Sequence, residues 1–197
     1  MSIFANVRIY CFANYNRQLT PAEVLQNYYA GLQRFIPTDG LVLYLDGNNT
    51  NKQVMTASTA NDISGNNYNG TLTNGVALAR DGQRSFSFDG VDDYNEIDVN
   101  SLLQNGLSIS VWIRSNLPNS QSDWKGIVWS RLSGPAGNPP FSPDQATGIM
   151  VYPGGLLGLA SDGNSLVQLQ DIGQYSNDSL WYHIVFSYNL NTGFTQI

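Results

Sequence analysis

The chain has little charge, almost no sulfur in cysteine form and no long apolar run. Only 12% of its 197 residues are charged, with 9 basic against 15 acidic. The formal net charge of −6 repels a phosphate backbone, and no Lys/Arg cluster offsets it, so nucleic acid is not an expected partner. Cys11 is the sole cysteine, which excludes an intrachain disulfide and a thiolate metal cage. It falls on the apolar side of a predicted strand, where an inert buried thiol is expected. No stretch approaches the ~20 apolar residues that span a bilayer, and no membrane partner is expected. The opening MSIFANVRIY lacks the basic stretch, apolar run and small-residue cleavage site of an export signal. Three glycosylation sequons, at Asn48, Asn69 and Asn177, read as chance in so Asn-rich a chain.

Turn formers are what the sequence does have. It holds 22 Asn and 19 Gly, which suits many tight turns between short strands. The clearest strand is LSISVWIRS (107–115), with Leu107, Ile109, Val111 and Ile113 on one face and Ser108, Ser110, Trp112 and Arg114 on the other. LVLYLD (41–46) is nearly all apolar, as for a strand covered on both sides. GTLT (70–73), RSFSFDG (84–90), YNEIDV (94–99), GIVWSRL (126–132), GIMVYP (148–153), GLLGLAS (155–161), SLVQLQ (165–170) and WYHIVFSYN (181–189) complete the set. Asn74-Gly75 reads as a turn and Asp89-Gly90 as the hairpin turn leading back into YNEIDV. Such spacing predicts an antiparallel sandwich or barrel.

The front of the chain differs. Ile3, Ala5, Val7, Ile9 and Cys11 alternate with polar and aromatic residues, predicting a strand over 2–11. Thr20-Pro21-Ala22-Glu23 is a helix start, with a capping hydroxyl, a proline at the first helical position and a capping-box carboxylate. Val24, Leu25, Tyr28, Tyr29 and Leu32 then keep helical spacing and predict one apolar face, packed on a sheet. The length suits one sizeable domain, 39–197, with 1–38 as a strand-plus-helix appendage.

Several stretches stand together in a telling order: DGLVLYLDGNN, DISGNNYNGTLTNGVAL, RSFSFDGVDDYNEIDV, LSISVWIRS and SLWYHIVFSYNLNTG. They resemble the laminin-G-like, concanavalin A-like jelly-roll domains of phage structural and bacterial surface proteins, over about residues 39–193. The resemblance implies an all-β, antiparallel jelly-roll sandwich, here with one short N-terminal helix. In such domains the closing strand is followed by a segment similar to RxYNRxLTxxEVxxNY. Here Arg8-Ile9-Tyr10, Tyr15-Asn16-Arg17, Leu19-Thr20 and Glu23-Val24 match it, interrupted by Cys11 to Asn14. The family's ending therefore stands at this chain's beginning. Either the first strand fills the closing slot of its own sheet, or it fills a neighbour's, or a tandem array is cut between domains.

Chemistry finds few residues to use. Glu96-Ile97-Asp98 resembles the active strand of retaining β-glucanases, with Glu96 as nucleophile. That reaction needs a second carboxyl group ~5 Å away, and Asn100 or Ser101 stands where it should be; Glu23 is the only other glutamate. His183 is the sole histidine, on a predicted central strand with no Gly-x-Ser-x-Gly elbow, and reads as a core or sheet-face residue. No catalysis is expected. The resemblance implies calcium as a further ligand, with Asp62, Asp89, Asp92 and Asp93 as the hard oxygen donors. Glycan contact would fall to Trp112, Trp124, Trp129, Tyr152 and Tyr175, with the alternative that Trp112 and Trp129 pack in or on the sandwich. The expected function is a virion structural protein, a phage capsid-decoration or tail-fibre component that forms homo-oligomers and contacts other virion proteins through sheet edges and loops. The alternative is a carbohydrate-binding adhesion module at a cell surface.

Overall fold

The computed structural model describes residues 7–33, 37–49, 52–80, 84–98, 107–115, 125–131, 146–152, 155–161, 166–168, 180–188 and 195–196. Fourteen strands and one helix follow in the order β1 Val7–Tyr15, α1 Pro21–Gln33, β2 Leu41–Asp46, β3 Thr59–Ala60, β4 Gly70–Thr73, β5 Ala77–Ala79, β6 Ser85–Ser87, β7 Tyr94–Glu96, β8 Leu107–Ser115, β9 Lys125–Arg131, β10 Ala146–Tyr152, β11 Gly155–Ser161, β12 Leu166–Gln168, β13 Tyr182–Tyr188 and β14 Thr195–Gln196. All pairings are antiparallel. They build a seven-stranded sheet in the order β14-β13-β8-β1-β6-β5, with β2 also on β1, a four-stranded sheet β12-β11-β10-β9, and a three-stranded sheet β3-β4-β7. The described residues are thus mostly antiparallel β with one helix. No helix among the described residues is long and apolar enough to cross a membrane.

One apolar cluster joins all three sheets. Ile9, Phe12, Ile109, Val111, Ile113, Ile184 and Phe186 enter it from the large sheet, Ile127, Ile149 and Val151 from the second, and Ala60 and Leu72 from the third. The predicted alternation of β8 holds: Leu107, Ile109, Val111 and Ile113 are at most 2% exposed, whereas Trp112 and Arg114 are half-buried on the opposite face.

The first strand lies in the middle of its own sheet. β1 pairs β8 along one edge, from Val7↔Ser115 to Tyr15↔Ser108. Its other edge pairs β6 at Arg8 and Ile9, then β2 from Cys11↔Asp46 to Tyr15↔Leu41. Of the three arrangements open to it, β1 takes the slot within the same chain. Residues 2–6 of the predicted strand lie outside the described residues, and the strand continues past Cys11 to Tyr15. A register shift between Ile9 and Cys11 changes which face each residue meets. Ile9 therefore points into the core while Cys11 joins the outer face opposite Trp112, rather than sharing the apolar side as the alternation suggested. The thiol is inert all the same, because burial and then the nearby Asp46 push its pKa to about 12.

One turn differs in role from the reading above, and a second holds as read. β6 belongs to the large sheet and β7 to the small one, so Asp89-Gly90 is a corner between sheets rather than a hairpin turn. Asn74-Gly75 likewise joins β4 of the small sheet to β5 of the large one. Both its residues have positive φ, 63° and 115°, which Asn and Gly tolerate best. β3 and β5 are two and three residues long, too short to show a period.

Candidate functional site

The helix is fixed to the sheet by polar contacts before apolar ones. Thr20 and Glu23 form the capping box: Thr20 N–H donates to Glu23 Oε2 at 2.8 Å, and Glu23 N–H donates to Thr20 Oγ1 at 3.3 Å. Arg17 grips the same carboxylate at 2.6 and 3.0 Å, which holds the Glu23 pKa down to about 2, with the Thr20 amide as the next cause. Below the helix, Ser108 Oγ donates to the Arg17 carbonyl at 2.7 Å and accepts from Leu19 N–H at 3.1 Å. Small serines on the outer face of β8 thus let the chain turn close to the sheet. Tyr15 donates its hydroxyl to Asn27 Oδ1 at 3.0 Å, and Ala13, Tyr15 and Leu19 form a second small core with Val24 and Tyr44.

This attachment alters the expected apolar face in part: Val24 packs in the small core and Tyr28 on Trp112, Leu25 and Tyr29 turn outward, and the side chain of Leu32 lies outside the described part. Among the helix residues with described side chains, Asn27 is turned most fully inward, with 3% exposed, and Val24 is half-buried. Leu25, Tyr28 and Tyr29 are 52%, 43% and 53% exposed. The polar Tyr15–Asn27 pair sets the helix rotation, which carries Leu25 and Tyr29 outward.

Beside that face lies a row of rings. Tyr28 stacks on Trp112 with centroids 5.6 Å apart, and Trp112 stacks on His183 at 5.1 Å, both offset geometries. Tyr29 meets the edge of Tyr28, and Arg114 lies over Trp181 at 5.4 Å, one rung further along. His183 Nε2 is 2.9 Å from Ser110 Oγ. Burial lowers the His183 pKa to about 4, so the ring is neutral at pH 7. The β8–β13 register creates the row by setting His183 opposite Trp112. Its only trace in the sequence is that two predicted strands each carry a ring on a non-core face.

Ser110 and His183 form a hydroxyl–imidazole pair, and the described residues place no further part of a nucleophilic site beside it. Both sit mid-strand, where neighbouring backbone N–H groups belong to the sheet ladder and cannot form an oxyanion hole. Burial lowers the His183 pKa, and among the described residues no carboxylate is found against its ring. Glu96 and Asp98 are exposed at the end of β7, and Asn100 and Ser101 lie outside the described residues.

The four aspartates divide. Asp62 Oδ1 accepts from Tyr44 N–H at 3.0 Å and Ser64 N–H at 2.9 Å; Oδ2 accepts from Ser64 Oγ at 2.8 Å and Tyr68 N–H at 3.0 Å. Its carboxylate is committed to organising the turn, and it stands apart from the others. Asp89, Asp92 and Asp93 do come together, each offering an oxygen within 4.8 Å of the other two. Asp93 is 5% exposed and its Oδ1 has no partner, an orphaned buried oxygen that fits a hard cation.

Of the expected glycan contacts, Trp124 and Tyr175 lie outside the described residues. Trp129 is placed in β9 opposite Gly148 and Tyr152 in β10 opposite Gly155, with their side chains outside the described part. Comparison with family models, curated proteins and solved structures returned no match.

Proposed function

We propose that the chain is a non-catalytic sandwich of laminin-G-like, concanavalin A-like jelly-roll type that works by assembly, as a structural component of a phage particle. The observation that carries assembly is the outward face of α1, which exposes Leu25, Tyr28 and Tyr29. Three large side chains on one 13-residue helix make a tyrosine-rich, uncharged patch of the kind found at interface centres. With β1 used inside its own sheet, the helix face takes the assembly role expected of sheet edges and loops. The virion setting rests on the resemblance, the low charge and the lack of disulfides.

Light scattering coupled to size exclusion tests this reading. The full chain is expected to run as an oligomer, and Leu25→Ser with Tyr29→Ser to run as a monomer with an unchanged melting temperature. Tyr28 is left intact because it stacks on Trp112. A wild-type monomer at every concentration tested would contradict homo-assembly.

The second reading, a carbohydrate-binding module at a cell surface, draws on the Tyr28–Trp112–His183 row. It requires glycan retention by the monomer and its loss in Trp112→Ala.

A further inference from the structure

The chain carries three Asn-Gly pairs, at 69–70, 74–75 and 105–106, and the first two lie within the described residues. An Asn side-chain amide is most open to attack by the next backbone nitrogen when glycine follows, because glycine has no Cβ to shield that nitrogen. Whether the attack takes place depends on how the fold holds the two groups that must meet. The two pairs are held in opposite ways.

Asn69-Gly70 is closed. Leu72 N–H donates to the Ser58 carbonyl at 2.9 Å, and two residues along the same ladder Gly70 faces Ala60. The Gly70 N–H therefore belongs to the hydrogen-bonded pairs that join β3 and β4. Gly70 is buried, with the Asn95 side chain against its Cα. Asn69 Oδ1 accepts from Asp62 N–H at 2.9 Å, which ties the amide to its turn. Reaction here would break a ladder bond and displace packed neighbours.

Asn74-Gly75 is open. Both residues are exposed, in the turn between β4 and β5. Among the described residues no hydrogen bond engages the Gly75 N–H. Asn74 has φ 63°, a left-handed conformation that strains a residue with a Cβ. Its amide is held by one bond, from Nδ2 to the carbonyl of exposed Asp92 at 3.0 Å. Bringing Cγ to the Gly75 nitrogen requires a rotation about the Asn74 ψ, which glycine at φ 115° can follow. That rotation gives up the bond to Asp92 and no ladder bond.

We propose that Asn74 is a site of spontaneous deamidation in the folded protein, through a cyclic imide closed by Gly75. The Gly75 nitrogen gives its proton to solvent and forms a bond to Asn74 Cγ. The Cγ–Nδ2 bond breaks, the departing nitrogen takes up a proton from solvent, and ammonia leaves. Water then opens the five-membered imide at either carbonyl, giving aspartate or isoaspartate. Either product replaces the Nδ2 donor by a carboxylate facing the Asp92 carbonyl, so the bond between the β4–β5 and β6–β7 corners is lost. Isoaspartate also lengthens the backbone of the turn by one carbon. The modification thus loosens the junction of the small sheet with the large one as the protein ages. This inference does not rest on the assembly reading, and the Leu25→Ser/Tyr29→Ser protein is expected to keep it.

The test is a time course of the full chain in mildly alkaline buffer, folded and in guanidinium chloride, followed by peptide mapping in which fragmentation assigns each product to its residue. In the folded chain, products at Asn74 are expected at least about ten-fold faster than at Asn69, which must wait for the β3–β4 ladder to open. In denaturant the two rates are expected to converge. Asn74→Gly, which suits the left-handed turn and has no amide, is expected to yield no product at that position. The fraction modified at Asn74 is expected to melt about 2 °C or more below fresh protein. Equal or faster reaction at Asn69 in the folded chain would overturn the proposal, as would a folded chain unreactive at Asn74 while the denatured one reacts. An unchanged melting temperature in the modified fraction would overturn the loosening of the corners.

Discussion

Asp62 and Asp93 are both buried aspartates in turns rich in Gly and Asn, yet they meet opposite conditions. Asp62 receives donors at both oxygens, from Tyr44, Ser64 and Tyr68. Asp93 receives one, from Asp89, and keeps an oxygen with none beside two like charges. The first carboxylate is a structural centre around which the chain winds. The second keeps one unpartnered oxygen beside two like charges. Aspartate in a turn therefore says little until its donors are counted.

The largest expected effect that sharpens this contrast is at Asp62. Asp62→Ala leaves the amides of Tyr44, Ser64 and Tyr68 without their acceptor, and a loss of about 3 kcal/mol or more is expected in chemical denaturation. A loss under about 1 kcal/mol would mean that water replaces the carboxylate freely and that the two aspartates differ little.

Asn14 extends the comparison to a neutral group. It is 1% exposed on β1, on the core side opposite Ile109 and Leu43, and neither its amide oxygen nor its amide nitrogen has a partner. Asn14→Leu is expected to stabilise the chain by about 1–2 kcal/mol in the same measurement, since an unpaired polar group gives way to an apolar one of similar size. A net loss would show that the amide is satisfied by an internal water.

The pH dependence carries two effects of opposite sign. The raised folded pKa of Asp93 makes the folded state bind its proton more readily than the unfolded state, so this group adds stability as pH falls through the carboxylate range. His183 acts in the opposite direction. Its folded pKa of about 4 lies below the ordinary 6.5, so stability is full above pH 6.5 and is lost as pH falls towards 4. His183→Gln is expected to flatten the loss between pH 6.5 and 4, and Asp93→Asn to raise stability at pH 7 in EDTA by under about 1 kcal/mol. An unchanged slope in His183→Gln would place the ring in water.

Much of the architecture was legible in the residues. The alternation of LSISVWIRS gave β8 and its core face, and Thr20 to Glu23 gave the helix start and its capping box. What stayed hidden depends on register and long-range pairing. Asp89-Gly90 announces a turn, but whether that turn closes a hairpin or crosses between sheets depends on which strands β6 and β7 pair with. The ring row needs β8 and β13 side by side and α1 docked above them, three elements far apart in the chain. The helix was misread for a related reason. Helical spacing marked Leu25 and Tyr29 as apolar, but the Tyr15 hydroxyl selected Asn27 as the residue to turn inward. At the candidate cation site, residue types singled out all four aspartates, and only hydrogen-bond counting separated Asp62 from the rest.

The transfer of assembly from a sheet edge to the helix face rests on β1 lying in its own sheet. Hydrogen exchange on the monomeric fraction isolated by size exclusion tests this most directly. The amides of Cys11 to Tyr15 are expected to be protected to the same degree as those of Ile109 to Ile113 on β8. Rapid exchange of β1 in the monomer, with protection appearing only in the oligomer, would mean that the strand belongs to a neighbour's sheet.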